Sequence, residues 1–310
     1  MRDKYLKFKW VRVATILRFA ILLGAATALL AGGVACRKED KNIAPRQEAK
    51  GEVRATKAYL ETFGRPPTTA EGTCYALVGF YPDAERPDRI RPFPLFVFDR
   101  DHRMQIVVEQ LLQWGEGWDF GGAAVDPFPP GVELLALKQD GDMVRMELTG
   151  NVLERTGPKA RKVILDMFTH ALTQFDGVER VMLVGGGVLF PGQTERAFMP
   201  DPAAVIGPGP PRLLALTGTW EGEEGDPVEV SVLFDRPVEV EQIRLVDEQG
   251  RELTGEYFRS MFDMAVVVRP SQPEAIAEGA SFTISWKVAD GLQRSAKGED
   301  VFSLKKIVRP

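Results

Sequence analysis

The sequence predicts an α+β domain, a mixed sheet with helices on one face, followed by an all-β sandwich. Three observations carry this. Residues 73–195 alternate short aromatic and β-branched runs with two apolar stripes at helical spacing. Residues 212–310 read as short strands separated by turn chemistry. Between them, Pro200–Pro211 packs five prolines and two glycines into twelve residues, which continues neither a helix nor a central strand. The 310 residues, 44% hydrophobic and 27% charged, have ordinary globular composition for about two domains. A net charge of −5 argues against a nucleic-acid partner. Two cysteines and two histidines are too few for a disulfide scaffold or a four-cysteine zinc site.

Six basic residues and a single acid stand in Met1–Arg18, and the seventeen residues Phe19–Ala35 carry no charge. Small residues then lead to Cys36 and the polar run Arg37-Lys38-Glu39-Asp40-Lys41. A basic start, an apolar core and small residues before a cut describe an export signal. With Val34-Ala35-Cys36 at its end it resembles a bacterial lipoprotein signal, which implies a lipid on the thiol of Cys36 and a membrane anchor. Gly33 stands where that family usually has leucine. The alternative is a retained membrane helix, although seventeen residues fall short of the ~20 that span a bilayer. Both readings place the rest of the chain outside the cytoplasm. In a cell with two membranes, Arg37 after the acylated cysteine favours the outer one; otherwise the outer face of the cytoplasmic membrane is expected. Removing residues 1–35 takes six basic residues and one acid, leaving 33 against 43 and a net charge of −10. Cys74, at the head of an apolar run, reads as a buried, inert thiol.

Residues 36–72 are polar, mixed in charge and interrupted by Pro45, Pro66 and Pro67. They read as a tether, with room for one short helix around Glu52–Phe63; a coil of that length reaches roughly 35 Å. In the first domain, Tyr75–Tyr81 and Leu95–Phe98 read as strands. Met104, Val107, Val108, Leu111 and Leu112 share one helical face. Leu134–Leu137 and Val144–Leu148 flank Asp140-Gly141, a hairpin signal. Ile164, Met167, Phe168, Ala171, Leu172 and Phe175 form a second helical stripe that starts near Pro158 and stops at Gly177. Val178–Val184 closes the domain as a strand.

Pro129-Pro130-Gly131 with Val132-Glu133-Leu134-Leu135, the Asp140-Gly141 hairpin and His170-Ala171-Leu172-Thr173-Gln174-Phe175-Asp176-Gly177-Val178 resemble the GerMN domain of sporulation and germination lipoproteins. The resemblance spans about residues 73–195. It implies a small α/β module without known catalytic residues that works by association. That family's last strand usually leads into an Asp-Gly turn, where Gly185-Gly186-Gly187 stands here.

In the second domain, Val228–Phe234, Gln242–Val246, Ala265–Val268, Phe282–Val288 and Val301–Ile307 read as strands. Phe234-Asp235-Arg236-Pro237-Val238 and Ser285-Trp286-Lys287-Val288-Ala289-Asp290-Gly291 resemble bacterial Ig-like domains and CopC-like copper carriers. Copper does not follow, because Leu292 occupies the position of the carrier's histidine ligand and this domain has no histidine. The organisation expected is a signal over 1–35, a tether over 36–72, a GerMN-like domain over 73–195, a linker over 196–211 and an Ig-like sandwich over 212–310.

Little of the sequence points to chemistry. Gly185-Gly186-Gly187 lacks the Lys-Ser/Thr and the following helix of a phosphate loop. Asp99, Asp101 and His102 read as a helix start, and His170 as a solvent-facing residue. The acidic run Glu221–Asp226 reads as a solvated loop. No metal and no cofactor is expected. Trp114, Trp118, Phe120 and Phe128 lie in a long inter-element stretch, where aromatics either grip a ligand or fold onto the core. The expected function is a lipid-anchored, non-enzymatic envelope scaffold that binds an envelope protein or itself. The alternative is an accessory of wall remodelling that binds peptidoglycan. Cys36→Ser should abolish palmitate labelling and leave the precursor uncleaved; label that persists in the variant would remove the lipoprotein reading.

Overall fold

The longest apolar run of the first domain, β2 (Thr73–Pro82), is buried along nearly its whole length. A strand buried on both faces needs partners on both edges and cover above and below. In the computed structural model, which describes residues 51–69, 72–113, 122–191 and 197–309, it has them. On one edge β1 (Glu52–Ala55) runs parallel, in register from Glu52 opposite Thr73 to Ala55 opposite Ala76. On the other, β3 (Ile90–Val97) runs antiparallel, from Tyr75 opposite Val97 to Pro82 opposite Ile90. The parallel pair requires a crossover, which contains α1 (Lys57–Phe63), capped where Thr56 Oγ1 accepts the Tyr59 N–H. The expected tether is therefore too long: from Glu52 the chain is a strand and a helix of the domain, with Tyr59 and Phe63 in its core. The polar composition of this stretch conceals that, because one face of a two-turn helix suffices to bury it.

The remaining strands form a second sheet rather than extending the first. Its order is β4 (Leu134–Asp140), β5 (Met143–Leu148), β6 (Arg180–Gly185) and β7 (Val188–Leu189), with β5 and β6 parallel and the other pairs antiparallel. The crossover between β5 and β6 holds a single turn, α3 (Asn151–Glu154), and then α4 (Pro158–Leu172). Together with α2 (Arg103–Leu112), α4 packs between the sheets, touching β2 and β3 on one side and β6 on the other. Burial of α4 is continuous from Val163 to Thr169, off-stripe Leu165 and Asp166 included. A stripe tells which face is buried; it cannot tell that a second layer covers the opposite one.

The second domain is a sandwich. One sheet has the order β10 (Val238–Asp247), β13 (Ser281–Asp290), β14 (Ser295–Ser303). The other runs β11 (Gly255–Arg259), β12 (Ala265–Pro270), β9 (Glu229–Phe234), β8 (Leu213–Glu221), β15 (Lys305–Arg309). The single expected strand Val301–Ile307 is two strands, broken at the buried Leu304, where the chain changes sheets and joins β8 in parallel. Leu216, Val232, Phe234, Leu245, Ile284 and Val288 fill the space between.

The Pro/Gly segment between the domains is docked on both of them. The Ile206 N–H donates to the Ile90 carbonyl at 2.8 Å on the outer edge of β3. Alternation then places Pro92 and Pro94 on that same edge, where neither has an N–H to offer. Further on, Arg236 is 1% exposed and all five of its N–H groups are used. Two go to the Asp235 carboxylate, one to Asp290 Oδ2, and one each to the carbonyls of Pro208 and Gly209. Its guanidinium also lies 5.7 Å from the ring centre of Phe63 in α1. Arg294 binds Asp290 and donates 2.8 Å to the carbonyl of Thr62. Beside it Gly64 bridges to Gly291, where a Cβ on either residue would sit 2.5–2.6 Å from the other strand's carbonyl oxygen. Lastly, Phe262, held at φ 65°, stacks on Phe96 at 4.1 Å and 7°.

These contacts predict one cooperative unfolding transition and no proteolytic cut between Pro200 and Arg212. Arg236→Met takes one cation from two buried carboxylates, leaving Asp235 with Arg212 and Asp290 with Arg294, and should cost about 3 kcal/mol in urea titration. Two well-separated transitions in the parent protein would show that the domains unfold independently.

Candidate functional site

The segment Leu172–Val178 ends α4 and turns into β6, and it carries the half-buried Gln174. Strand β1 stops at Ala55, so the Thr56 N–H makes the last backbone rung, to the Ala76 carbonyl at 3.0 Å. The next groups on that edge of β2 are those of Val78. Gln174 supplies both partners: its Oε1 accepts the Val78 N–H at 2.8 Å and its Nε2 donates to the Val78 carbonyl at 2.8 Å. The same carboxamide donates to the Ala171 carbonyl and accepts from Thr56 Oγ1 at 3.1 Å. One side chain thus continues the sheet by a rung and joins β2, α4 and the cap of α1.

Over this junction lies a cleft of about 440 Å³. Arg54, Thr56 and Lys57 come from the end of β1 and the start of α1, Arg100, Asp101, Arg103 and Met104 from the turn into α2 and its first residues, Gln139 from β4, and Gln174 to Asp176 from just after α4. Tyr75 and Leu77 of β2 form its floor. Arg103 lies with its guanidinium 4.4 Å from the centre of the Tyr75 ring while its Nε donates to the Arg100 carbonyl at 2.8 Å. Those two contacts hold the guanidinium at the Tyr75 ring. Arg54 pairs with Glu52 at 3.0 Å and Lys57 with Glu61 at 3.7 Å. No carboxylate among the described residues stands within ion-pairing distance of Arg100 or Arg103. Residue patterns missed this site because its members are isolated in the sequence and share no period.

Trp114, Trp118 and Phe120 lie outside the described residues, as does Cys36. Phe128 is half-buried, packs on the first core and meets the Phe168 ring at 5.8 Å, so it is a core contact and no free binding surface. Cys74 is buried, and burial pushes its thiol up to about 12, which keeps it protonated and unreactive. Asp99 Oδ1 accepts the N–H groups of Asp101 and His102 ahead of α2, and Oδ2 meets His102 Nδ1 at 3.0 Å. Those bonds hold its carboxyl below the ordinary range. His170 does not face solvent: its Nε2 meets the Asp201 carbonyl at 3.0 Å and its ring lies 5.2 Å from Phe80. Burial pushes its imidazole down. The segment after residue 196 covers that face of α4, which helical periodicity alone cannot foresee. Gly186 and Gly187 make a two-residue turn at φ 57° and 83° between β6 and β7. Asp290-Gly291-Leu292 is spent on the domain seam, its Asp290 carboxylate shared by Arg236 and Arg294.

Residues 79–188 match the family described as Germane, sporulation and spore germination. Among solved structures, the first GerMN domain of the sporulation protein GerM from Bacillus subtilis is 12% identical, with 42% of this chain covering 96% of that one at a TM-score of 0.31. The tandem GerMN domains of the same protein are 10% identical over 58% of each chain, TM-score 0.31. CopC from Methylosinus trichosporium OB3b is 14% identical, with 31% of this chain covering 90% of that one, TM-score 0.21. No curated protein matches the chain.

Gln174→Leu keeps the shape but leaves the Val78 N–H and carbonyl without partners. It should lower stability by about 2–3 kcal/mol on the cost of unpaired buried groups. A loss below ~0.5 kcal/mol in thermal or urea unfolding would mean that water replaces the carboxamide.

Proposed function

We propose that this is a lipid-anchored, extracytoplasmic protein of the bacterial envelope that acts by binding rather than turnover. The match of residues 79–188 to the family described as Germane, sporulation and spore germination, supports an envelope role. What supports binding is the make-up of the cleft. Its polar groups are mainly guanidinium, ammonium and carboxamide, with the carboxylates of Asp101 and Asp176 and the Tyr75 side chain among them, a mixed set suited to holding a polar ligand. The Thr56 hydroxyl at its rim is engaged between Gln174 and the Tyr59 N–H. The anchor rests on Val34-Ala35-Cys36 after an uncharged run of seventeen residues. No helix among the described residues is long and apolar enough to cross a membrane. Fourteen residues, 37–50, lie between Cys36 and the first described residue, Gly51. The partner is an envelope protein or a second copy of the chain.

Crosslinking capture of envelope proteins from intact cells, run beside sedimentation with purified sacculi, tests this. Recovery of a defined protein or of crosslinked self, weakened by Trp118→Ala with Phe120→Ala at unchanged melting temperature, is the expected result. Sedimentation with sacculi and no protein capture would favour the peptidoglycan reading instead.

A further inference from the structure

We propose that residues 198–206 form a pH-gated strap, tied across α4 while His170 is neutral and released when it takes a proton. The strap has three ties. At one end Phe198 bridges to Val181 of β6, its N–H donating to the Val181 carbonyl at 2.8 Å and its carbonyl accepting in return at 2.9 Å. At the other, the Ile206 N–H donates to the Ile90 carbonyl of β3 at 2.8 Å. The ends hold different sheets, and α4 lies between those sheets. The middle tie is one side chain: His170 Nε2 meets the Asp201 carbonyl at 3.0 Å. A carbonyl only accepts, so Nε2 carries the proton of the neutral ring and Nδ1 is the nitrogen that an added proton takes. Among the described residues Nδ1 has no hydrogen-bond partner, and the half-buried ring lies 5.2 Å from that of Phe80 in β2. A second charge-bearing nitrogen there is kept from water with nothing bonded to it, which penalises the docked state. The neighbouring charges are Lys162 and Asp166 on α4 and Asp201 on the strap. Asp166 already holds Lys162 at 2.6 Å. Opposite Phe80 in register stands Pro92 of β3, and alternation puts the Arg91–Asp83 pair on the other face. Burial outweighs these charges and pushes the imidazole down. A folded-state imidazole below its ordinary value of about 6.5 stabilises docking above that pH, and the contribution is lost as the pH falls toward the lowered value. Asp166 works in the opposite sense, since burial pushes its carboxyl up and its protonation relieves the docked state. Release reaches the domain seam, because Pro208 and Gly209, just beyond the strap, supply the two carbonyls that Arg236 holds.

This regulation goes beyond the association proposed above and needs no partner, so either can fail without the other. Hydrogen exchange of the full chain in detergent, corrected for the intrinsic rate at each pH, measures it. Protection of the Phe198 and Ile206 amides should fall about threefold or more between about pH 7.5 and about pH 5.5, while that of Ile284 in β13 holds. His170→Gln keeps a side-chain donor and cannot titrate, so its strap protection should not change with pH. His102→Gln, which removes the other of the chain's two histidines, and Asp166→Asn should respond as the parent does. In the parent, the His170 ring titration followed by NMR should share its midpoint with the loss of protection, a comparison that stands even where His170→Gln does not fold. Protection unchanged or raised by acid, a full response in His170→Gln, no response in Asp166→Asn, or midpoints that differ would overturn the proposal.

Discussion

Among the contacts that join the two domains, the buried guanidinium of Arg236 imposes the tightest constraint. Burying Arg236 removes a full charge from water, at a cost of several kcal/mol, and only complete pairing offsets that. The structure provides it: every N–H has an acceptor, two of the acceptors being buried carboxylates from β9's end and β13's end. The other two are backbone carbonyls of the interdomain segment, which therefore has a fixed path. Phe63 of α1 covers the group from the first domain. Replacing the network by apolar residues of the same volume could be as stable, but it would not select this path for the chain, since apolar contacts carry no direction. The mutual approach of Gly64 and Gly291 follows from that path: side chains on either would force the domains apart.

The fixed seam has consequences for the cleft. Residues that line it belong to β1 and α1, and α1 is the element whose carboxyl end the second domain grips through Arg294 and Gly291. From the other side, Gln174 grips the amino end of α1 through Thr56. A seven-residue helix is too short to be stable on its own. Here it is held at both termini, so Arg54 and Lys57 stand at defined positions opposite α2.

Much of this was legible in the residues. The stripe from Ile164 to Leu172, the Asp140-Gly141 hairpin and the alternation of Val144, Met146 and Leu148 are all apolar periodicities, and each marks an element of the expected type. What periodicity cannot reach is polar and long-range. Asp235-Arg236 reads like any exposed charged pair, because burial of a charge depends on partners 54 residues away. Gln174 likewise reads as the polar side of a helix end, though it completes a sheet 96 residues upstream. β1 and β8 were hidden for different reasons: β1 is four residues long and half-exposed, and β8 carries Thr217, Gly218 and Thr219 in its middle. The cleft has no linear signature, since its walls come from segments around residues 54, 100, 139 and 174.

The hydrogen bond from Arg294 to Thr62 spans 232 residues of chain, and that distance sets an order in time. Closing a loop of that length is slow compared with forming either domain's local pairs. During synthesis the residues of the first domain emerge well before Arg294, and until then the ring of Phe63 and the last carbonyls of α1 lack their cover from the second domain. An apolar ring beside unpaired carbonyls attracts other chains as readily as its own. The nascent protein thus passes through a stage in which its seam is a liability, and the arrival of the second domain ends it.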